Sequence, residues 1–220
     1  MATVSSAEFW EDLYRRRGDA WELGRPAPAL ADWLEAKGNI APPPAGRVPG
    51  GTHPRTPAPK VGVPGCGRGH DARLLARCGY DVWAFDFAAD AVRDARALAE
   101  REGTAVRVEP RDIFALGGEY PNAFDGIWEY TCFCAIDPAR RPEYVRTMNR
   151  ILKPGGWFLA CFYPVRRGGG GPPFPVAKAE VRRLLAPSFR IEREFVPTRS
   201  VPRRLGQEWM VLAYKTGAPS

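Results

Sequence analysis

A glycine turn and an acid twenty-one residues beyond its first glycine give this chain its chemical outline. Gly65-Cys66-Gly67-Arg68-Gly69 follows an apolar run containing Val61 and Val63, and Asp86 closes a second apolar run, Tyr80 to Phe85. Small residues let the backbone turn sharply and let a ligand approach its N–H groups. A carboxylate at the end of the next strand is placed to accept two ribose hydroxyls. Strand, glycine turn, helix, strand, acid is half of a nucleotide-binding sheet.

The residues after the turn narrow the ligand. His70-Asp71 follow Gly69 directly, and an aspartate at a helix N-terminus repels phosphate, so the turn suits a ligand without phosphates, such as S-adenosylmethionine. Upstream, Phe9, Trp10, Leu13 and Tyr14 share one helical face. This face either packs as core, or Trp10 and Tyr14 converge with Trp21 as a lid, since a sulfonium is attracted to aromatic faces. Asp112 reads either as an acceptor for an adenine amino group or as a turn cap.

The elements that must position these groups are legible in order. A helix is expected from Ser5 to Arg17 and a second from Pro28 to Ala36. After the glycine turn, Asp71 to Cys78 reads as a helix with Leu74, Leu75 and Cys78 inward, stopped by Gly79. Ala88 to Arg101 is a helix with Ala91, Val92, Ala95 and Leu98 on one face, and Val106 to Val108 is a short strand. Phe124 to Tyr130 is the fourth strand, continued by the apolar run to Ile136, and Asp137-Pro138 caps a helix to Leu152. The turn 153–156 leads into a buried strand, Trp157 to Tyr163. A Gly/Pro loop, Gly168 to Pro175, precedes a helix from Val176 to Leu185, and the strands Phe189 to Phe195 and Glu208 to Tyr214 close the sheet.

Length and charge set the limits. A chain of 220 residues with 45% hydrophobic content accommodates one α/β domain. Residues 1–37 are expected to form an N-terminal helical lid, 38–59 a Pro/Gly-rich linker, and 60–220 the ligand-binding core. The formal charge of +7 comes from arginines scattered as pairs, such as Arg140-Arg141 and Arg182-Arg183, and nucleic-acid binding would require a clustered stripe. No run of eighteen apolar residues and no signal sequence is present, so a soluble cytoplasmic monomer without nucleic-acid or membrane partners is expected. The five cysteines read as buried free thiols, and no metal is expected, because only His53 and His70 are at hand as imidazole ligands and His53 belongs to the linker.

The motif series resembles the class I S-adenosylmethionine-dependent methyltransferases: VPGCGRGHD, Asp86, Asp112-Ile113 and LKPGG before the fifth strand. Within them it looks like the thiopurine S-methyltransferase family, and most like its thiol and halide (thiocyanate) branch, through FWEDLY, WELGR, WEYTCFCAIDPARRPEY, FYPV and GGPPFPV. The resemblance implies an α/β, Rossmann-like domain with a mostly parallel seven-stranded sheet, helices on both faces, and S-adenosylmethionine as cofactor. It implies that Trp10, Tyr14, Trp21 and Gly24 close over the cofactor, that Gly65, Cys66 and Gly67 line it, that Asp86 holds its ribose, and that Asp112 and Ile113 flank adenine. Glu129 and Tyr130 would lie beside the methionine part, facing an acceptor pocket with Phe133, Tyr163, Pro172 and Phe174. Tyr14 departs from a tryptophan often found there. Tyr130 stands where thiopurine enzymes carry an arginine, which argues for a small or apolar nucleophile over a carboxylated thiopurine.

The implied reaction asks little acid–base chemistry of the chain. A sulfonium methyl is already electrophilic, so the protein must chiefly align a small-molecule nucleophile and strip its water. Tyr130, Glu129 and Tyr163 are the candidate catalytic residues, with Glu129, Arg203 or Arg204 as the base or positive neighbour for a neutral thiol. Two alternatives stand beside this reading. A nucleic-acid methyltransferase would need an N-P-P-Y-type or paired-cysteine motif, which the chain lacks, and a non-catalytic cofactor-binding domain would keep Asp86 without turnover.

Overall fold

The alternation of apolar runs and helical periodicity is realised as one sheet. In the computed structural model, which describes residues 3–16, 21–36, 57–166 and 168–217, the strands are β1 Lys60–Pro64, β2 Asp81–Asp86, β3 Val106–Pro110, β4 Phe124–Tyr130, β5 Leu152–Phe162, β6 Phe189–Phe195 and β7 Trp209–Lys215. They form a seven-stranded sheet in the order β3-β2-β1-β4-β5-β7-β6. The first five run parallel, and β7 pairs antiparallel with both β5 and β6. The expected fold class is therefore the observed one.

Helices cover both faces, as a parallel sheet requires. The helices are α1 Ala7–Arg15, α2 Pro28–Glu35, α3 His70–Arg77, α4 Ala89–Arg101, α5 Leu116–Glu119, α6 Arg141–Ile151 and α7 Lys178–Leu185. Leu30 of α2, Ala72 and Leu75 of α3, and Val92 and Ala95 of α4 pack with Val61, Trp128, Leu159 and Leu212 on one face. Leu116 of α5, Tyr144 and Met148 of α6, and Val181 and Leu185 of α7 pack with Phe85, Ile127 and Phe158 on the other. Helix α1 joins neither core; Tyr14 packs with Ala88 and Ala91 beside Trp10 and Trp21, at the carboxyl edge of the sheet.

Several local expectations are corrected. In α3 the buried residues are Ala72, Arg73 and Leu75, while Leu74 and Cys78 are half-buried. The helix starts at His70, and Arg73 turns inward to donate to Arg68 O at 2.7 Å and Glu102 Oε2 at 3.0 Å. In α4, Ala99 takes the inward place assigned to Leu98. The apolar run after β4 leaves the sheet at Thr131, whose φ is 63°. The helix after Asp137 begins as a 3-10 turn, Pro138–Arg140, with Asp137 accepting from Ala139 N. Cys66 and Cys78 are only half-buried, although all five thiols are free. Most of the 38–59 segment, His53 included, lies outside the described residues.

The strand order reverses direction between β1 and β4, and in open α/β sheets the crevice at the carboxyl ends of such strands is the ligand site. Among the described residues, no helix is long and apolar enough to cross a membrane, and no group of three His, Cys, Asp or Glu side chains could hold a metal ion.

Candidate functional site

At that crevice the glycine turn is held by its own backbone. Cys66 N donates to Phe85 O, and Gly69 N to Cys66 O, both at 2.9 Å. Gly65, Gly67 and Gly69 all have positive φ, at 60°, 53° and 68°. Gly65 has a second reason to be glycine, because a Cβ there would stand 2.7 Å from Cys132 Sγ.

Asp86 is bound to this turn. Gly67 N donates to its Oδ2 at 2.9 Å and Ala88 N to its Oδ1 at 3.0 Å. A carboxylate oxygen can accept about two hydrogen bonds, so with one N–H on each oxygen Asp86 keeps acceptor capacity for a bound ligand. Burial pushes the Asp86 carboxyl up, against the pull of the Ala88, Gly67 and Phe87 N–H groups. Asp71, the acid at the start of α3, accepts from Ala27 N at 2.7 Å and from Trp128 Nε1 at 2.8 Å.

A cavity of about 550 Å³ opens above these groups, within the size range of small-ligand sites. Trp10, Tyr14 and Trp21 form part of its wall. Trp21 meets both Trp10 and Tyr14 edge to face, with ring centroids 5.5 and 5.7 Å apart. Glu22 ties this aromatic cluster to the glycine turn and α3. Its carboxylate accepts from Gly24 N at 2.7 Å, His70 Nε2 at 2.9 Å and Arg68 Nη1 at 3.2 Å. Arg73 donates to His70 Nδ1, so His70 Nε2 carries the hydrogen that Glu22 accepts. Burial raises the Glu22 carboxyl, but the bonds from His70, Gly24 and Arg68 outweigh it and hold the group at about 2.

Another part of the cavity wall is aromatic with a buried cation. Tyr130, Tyr163, Pro172 and Arg204 line it. The Arg204 guanidinium lies 5.2 Å from the Tyr130 ring centre and 4.8 Å from that of Tyr163. It donates to Tyr130 Oη at 2.5 Å and to Trp21 O at 2.8 Å. Tyr130 in turn donates to Glu208 Oε1 at 2.6 Å.

Of the residues singled out from the sequence, Trp10, Tyr14, Trp21, Gly65, Cys66, Gly67, Asp86, Asp112, Ile113, Tyr130, Tyr163 and Pro172 line this one cavity. Asp112 also caps its own turn, accepting from Phe114 N at 3.0 Å.

Glu129, Phe133 and Phe174 do not line it, which corrects their assignment; Gly24 is itself absent from the wall, but its neighbours Leu23 and Arg25 line it. Glu129 is fully buried on the opposite face of β4, where it accepts from Phe133 N at 2.9 Å and from Tyr144 Oη. Burial raises its carboxyl to about 7 despite those bonds. Phe133 is core, set against Tyr144 and Phe162. Phe174 presents its backbone N to Cys134 O at 2.7 Å, and Gly24 serves through its N–H to Glu22.

Sequence reasoning gave no role to Glu22, Arg68, His70 or Glu208. Glu22 stands inside the WELGR motif. The polar start of the apolar strand run EWMVLAY was the available signal for Glu208.

The model of the family described as thiopurine S-methyltransferase matches residues 5–211. A probable thiol methyltransferase 2 of Arabidopsis thaliana is 30% identical over 189 residues, covering 85% of this chain and 75% of that protein. A thiocyanate methyltransferase 1 of the same plant is 27% identical over 209 residues, covering 90% and 82%. Among solved structures, the 1,6-didemethyltoxoflavin-N1-methyltransferase of Burkholderia thailandensis superposes with a TM-score of 0.68 at 21% identity, covering 96% of this chain and 87% of that one, which is a likeness of fold.

Proposed function

The chain belongs to the thiopurine S-methyltransferase family, and we propose that the cavity at the carboxyl ends of β1 and β4 is where it methylates a small, soft nucleophile: a thiol, hydrosulfide, thiocyanate or halide. The methyl donor is S-adenosylmethionine. When bound, it supplies an electrophilic methyl group on a cationic sulfur. The residues present suit it: Asp86 keeps acceptor capacity for the ribose, and Asp71 at the start of α3 disfavours a phosphate-bearing alternative.

The chain's own residues then have separable tasks. Asp86 orients the ribose, and Asp112 with Ile113 borders the adenine end. Trp10, Tyr14 and Trp21 turn aromatic faces to the cation and exclude water, which strengthens the electrostatics inside. Tyr130, Tyr163 and Pro172 bound the acceptor.

The observation that carries the acceptor class is the Arg204 guanidinium buried against the Tyr130 and Tyr163 rings. A fixed positive charge between apolar walls favours an anion, and the dry walls favour one that loses little hydration on entering. Thiolates, thiocyanate and iodide meet both conditions. Alignment in line with the methyl–sulfur bond then accounts for most of the rate. The test is detection of methylated product and S-adenosylhomocysteine from the native protein given S-adenosylmethionine with thiocyanate or an aliphatic thiol. Product is expected with both, and product with neither would overturn the reading.

A further inference from the structure

The acceptor wall leads to a carboxylate that holds no part of the cofactor site. Glu208 is 2% exposed, just ahead of β7, and its Oε1 takes the Tyr130 hydrogen at 2.6 Å. Its Oε2 has no hydrogen-bond partner among the described residues. Tyr130 Oη has one hydrogen and two lone pairs. The hydrogen goes to Glu208 and one lone pair to Arg204 Nη1, which leaves one lone pair for a further donor.

Other candidates for a base are engaged elsewhere. Glu129 faces the opposite core, Asp71 is taken by Ala27 N and Trp128 Nε1, and Asp86 by the glycine turn. The thiols of Cys66, Cys132 and Cys134 along the cavity are all pushed up by burial. Tyr130 is likewise pushed far up, by burial first and Glu208 besides, against Arg204; it therefore stays a neutral phenol that can only pass a proton on.

We propose that Tyr130 and Glu208 form a proton relay for neutral thiol acceptors, with Tyr130 touching the acceptor and Glu208 taking the proton through it. The proposal rests on the reading of this cavity as a soft-nucleophile site. The acceptor S–H bond breaks and its proton passes to Tyr130 Oη as the Tyr130 proton passes to Glu208 Oε1. The sulfur lone pair so freed forms the new S–CH3 bond. The bond from the methyl to the donor sulfur breaks, and its electron pair stays on that sulfur in S-adenosylhomocysteine. Once product has left, the proton returns from Glu208 through Tyr130 Oη to the cavity and solvent before the next turnover. Arg204, on Tyr130 Oη, holds the negative charge that builds along this path. Thiocyanate and halides carry no such proton and bypass the relay.

The experiment compares acceptors in one preparation. Glu208→Gln keeps the size of the side chain and an oxygen for the Tyr130 hydrogen, yet cannot take up a proton. The expected result is a fall of about 100-fold in the ratio of kcat/KM for an aliphatic thiol to kcat/KM for thiocyanate at pH 7. The loss shrinks for an acidic aromatic thiol, which arrives already ionised. A ratio within about twofold of native, whether the two rates hold or fall together, would overturn the relay.

The native protein supplies an independent arm. An aliphatic thiol ionises near pH 8.5. If the relay removes its proton, the thiol rate relative to thiocyanate stays flat from pH 6 to pH 8. A tenfold rise per pH unit would mean that only preformed thiolate reacts, and would overturn the proposal. The groups that interact with Glu208 are Tyr130 of β4 and Cys161 of β5, with Arg204 of the 3-10 turn Pro202–Arg204 on the same Tyr130 hydroxyl, and burial moves the tyrosine and the thiol upward, out of that window. Failure of the underlying reading looks different: the native protein would methylate neither acceptor.

Discussion

Gly67 and Asp86, nineteen residues apart in the chain, are joined by a 2.9 Å hydrogen bond from the Gly67 N–H to Asp86 Oδ2. The glycine turn and the acid proposed to hold the ribose are thus one unit. Disturbing either end moves the other.

Asp86→Ala is accordingly expected to weaken S-adenosylhomocysteine binding by on the order of 2 kcal/mol, about 30-fold in Kd, because the ribose loses a charged acceptor and the turn loses its anchor. Calorimetric titration of native and variant measures it. Equal affinities would remove Asp86 from the site.

Glu22→Gln should loosen the aromatic cluster over the cavity. Three donors converge on the Glu22 carboxylate, and the neutral amide weakens each bond. A loss of about 1 kcal/mol in S-adenosylhomocysteine affinity is expected. Because the folded carboxyl is held at about 2, below its ordinary 4.5, its contribution to stability is present above pH 4.5 and is lost as pH falls through 2. The Tm difference between native and variant should therefore be full at pH 7 and shrink toward pH 2. A difference constant with pH would contradict the tie.

Glu129→Gln tests the corrected place of Glu129 in the core. Its carboxyl is raised from 4.5 to about 7, so its contribution to stability is present below 4.5 and is lost as pH rises through about 7. The amide carries no charge to bury. The variant should gain Tm relative to native on going from pH 5 to pH 8. A Glu129 exposed on the cavity wall would show no such gain.

The parts of this account that were legible from sequence are local. Gly65, Gly67 and Asp86 are ordered along one strand–turn–helix–strand unit, with β1 bounded by Pro59 and Gly65 and β2 preceded by Gly79. The misplacement of Glu129 has a simple physical cause. Successive side chains on a strand point to opposite faces. Trp128 and Tyr130 pack in or against the α2–α4 core, and Glu129 reaches across to Tyr144 of α6 in the other. Two adjacent residues of β4 could not both face the acceptor. Glu208 was out of reach for a different reason. It stands 78 residues after Tyr130, and only the antiparallel insertion of β7 beside β5, pairing Phe162 with Trp209, brings its carboxylate to that hydroxyl.

On the proposed function, softness and weak hydration select the acceptor in the Tyr130, Tyr163 and Arg204 chamber. The most direct measurement is the initial rate across chloride, bromide, iodide, thiocyanate, hydrosulfide, thiophenol, catechol and a primary amine at fixed S-adenosylmethionine and pH. The rates should rise from chloride to iodide, with thiocyanate, hydrosulfide and thiophenol well above catechol and the amine. Activity confined to the catechol or the amine would contradict the claim.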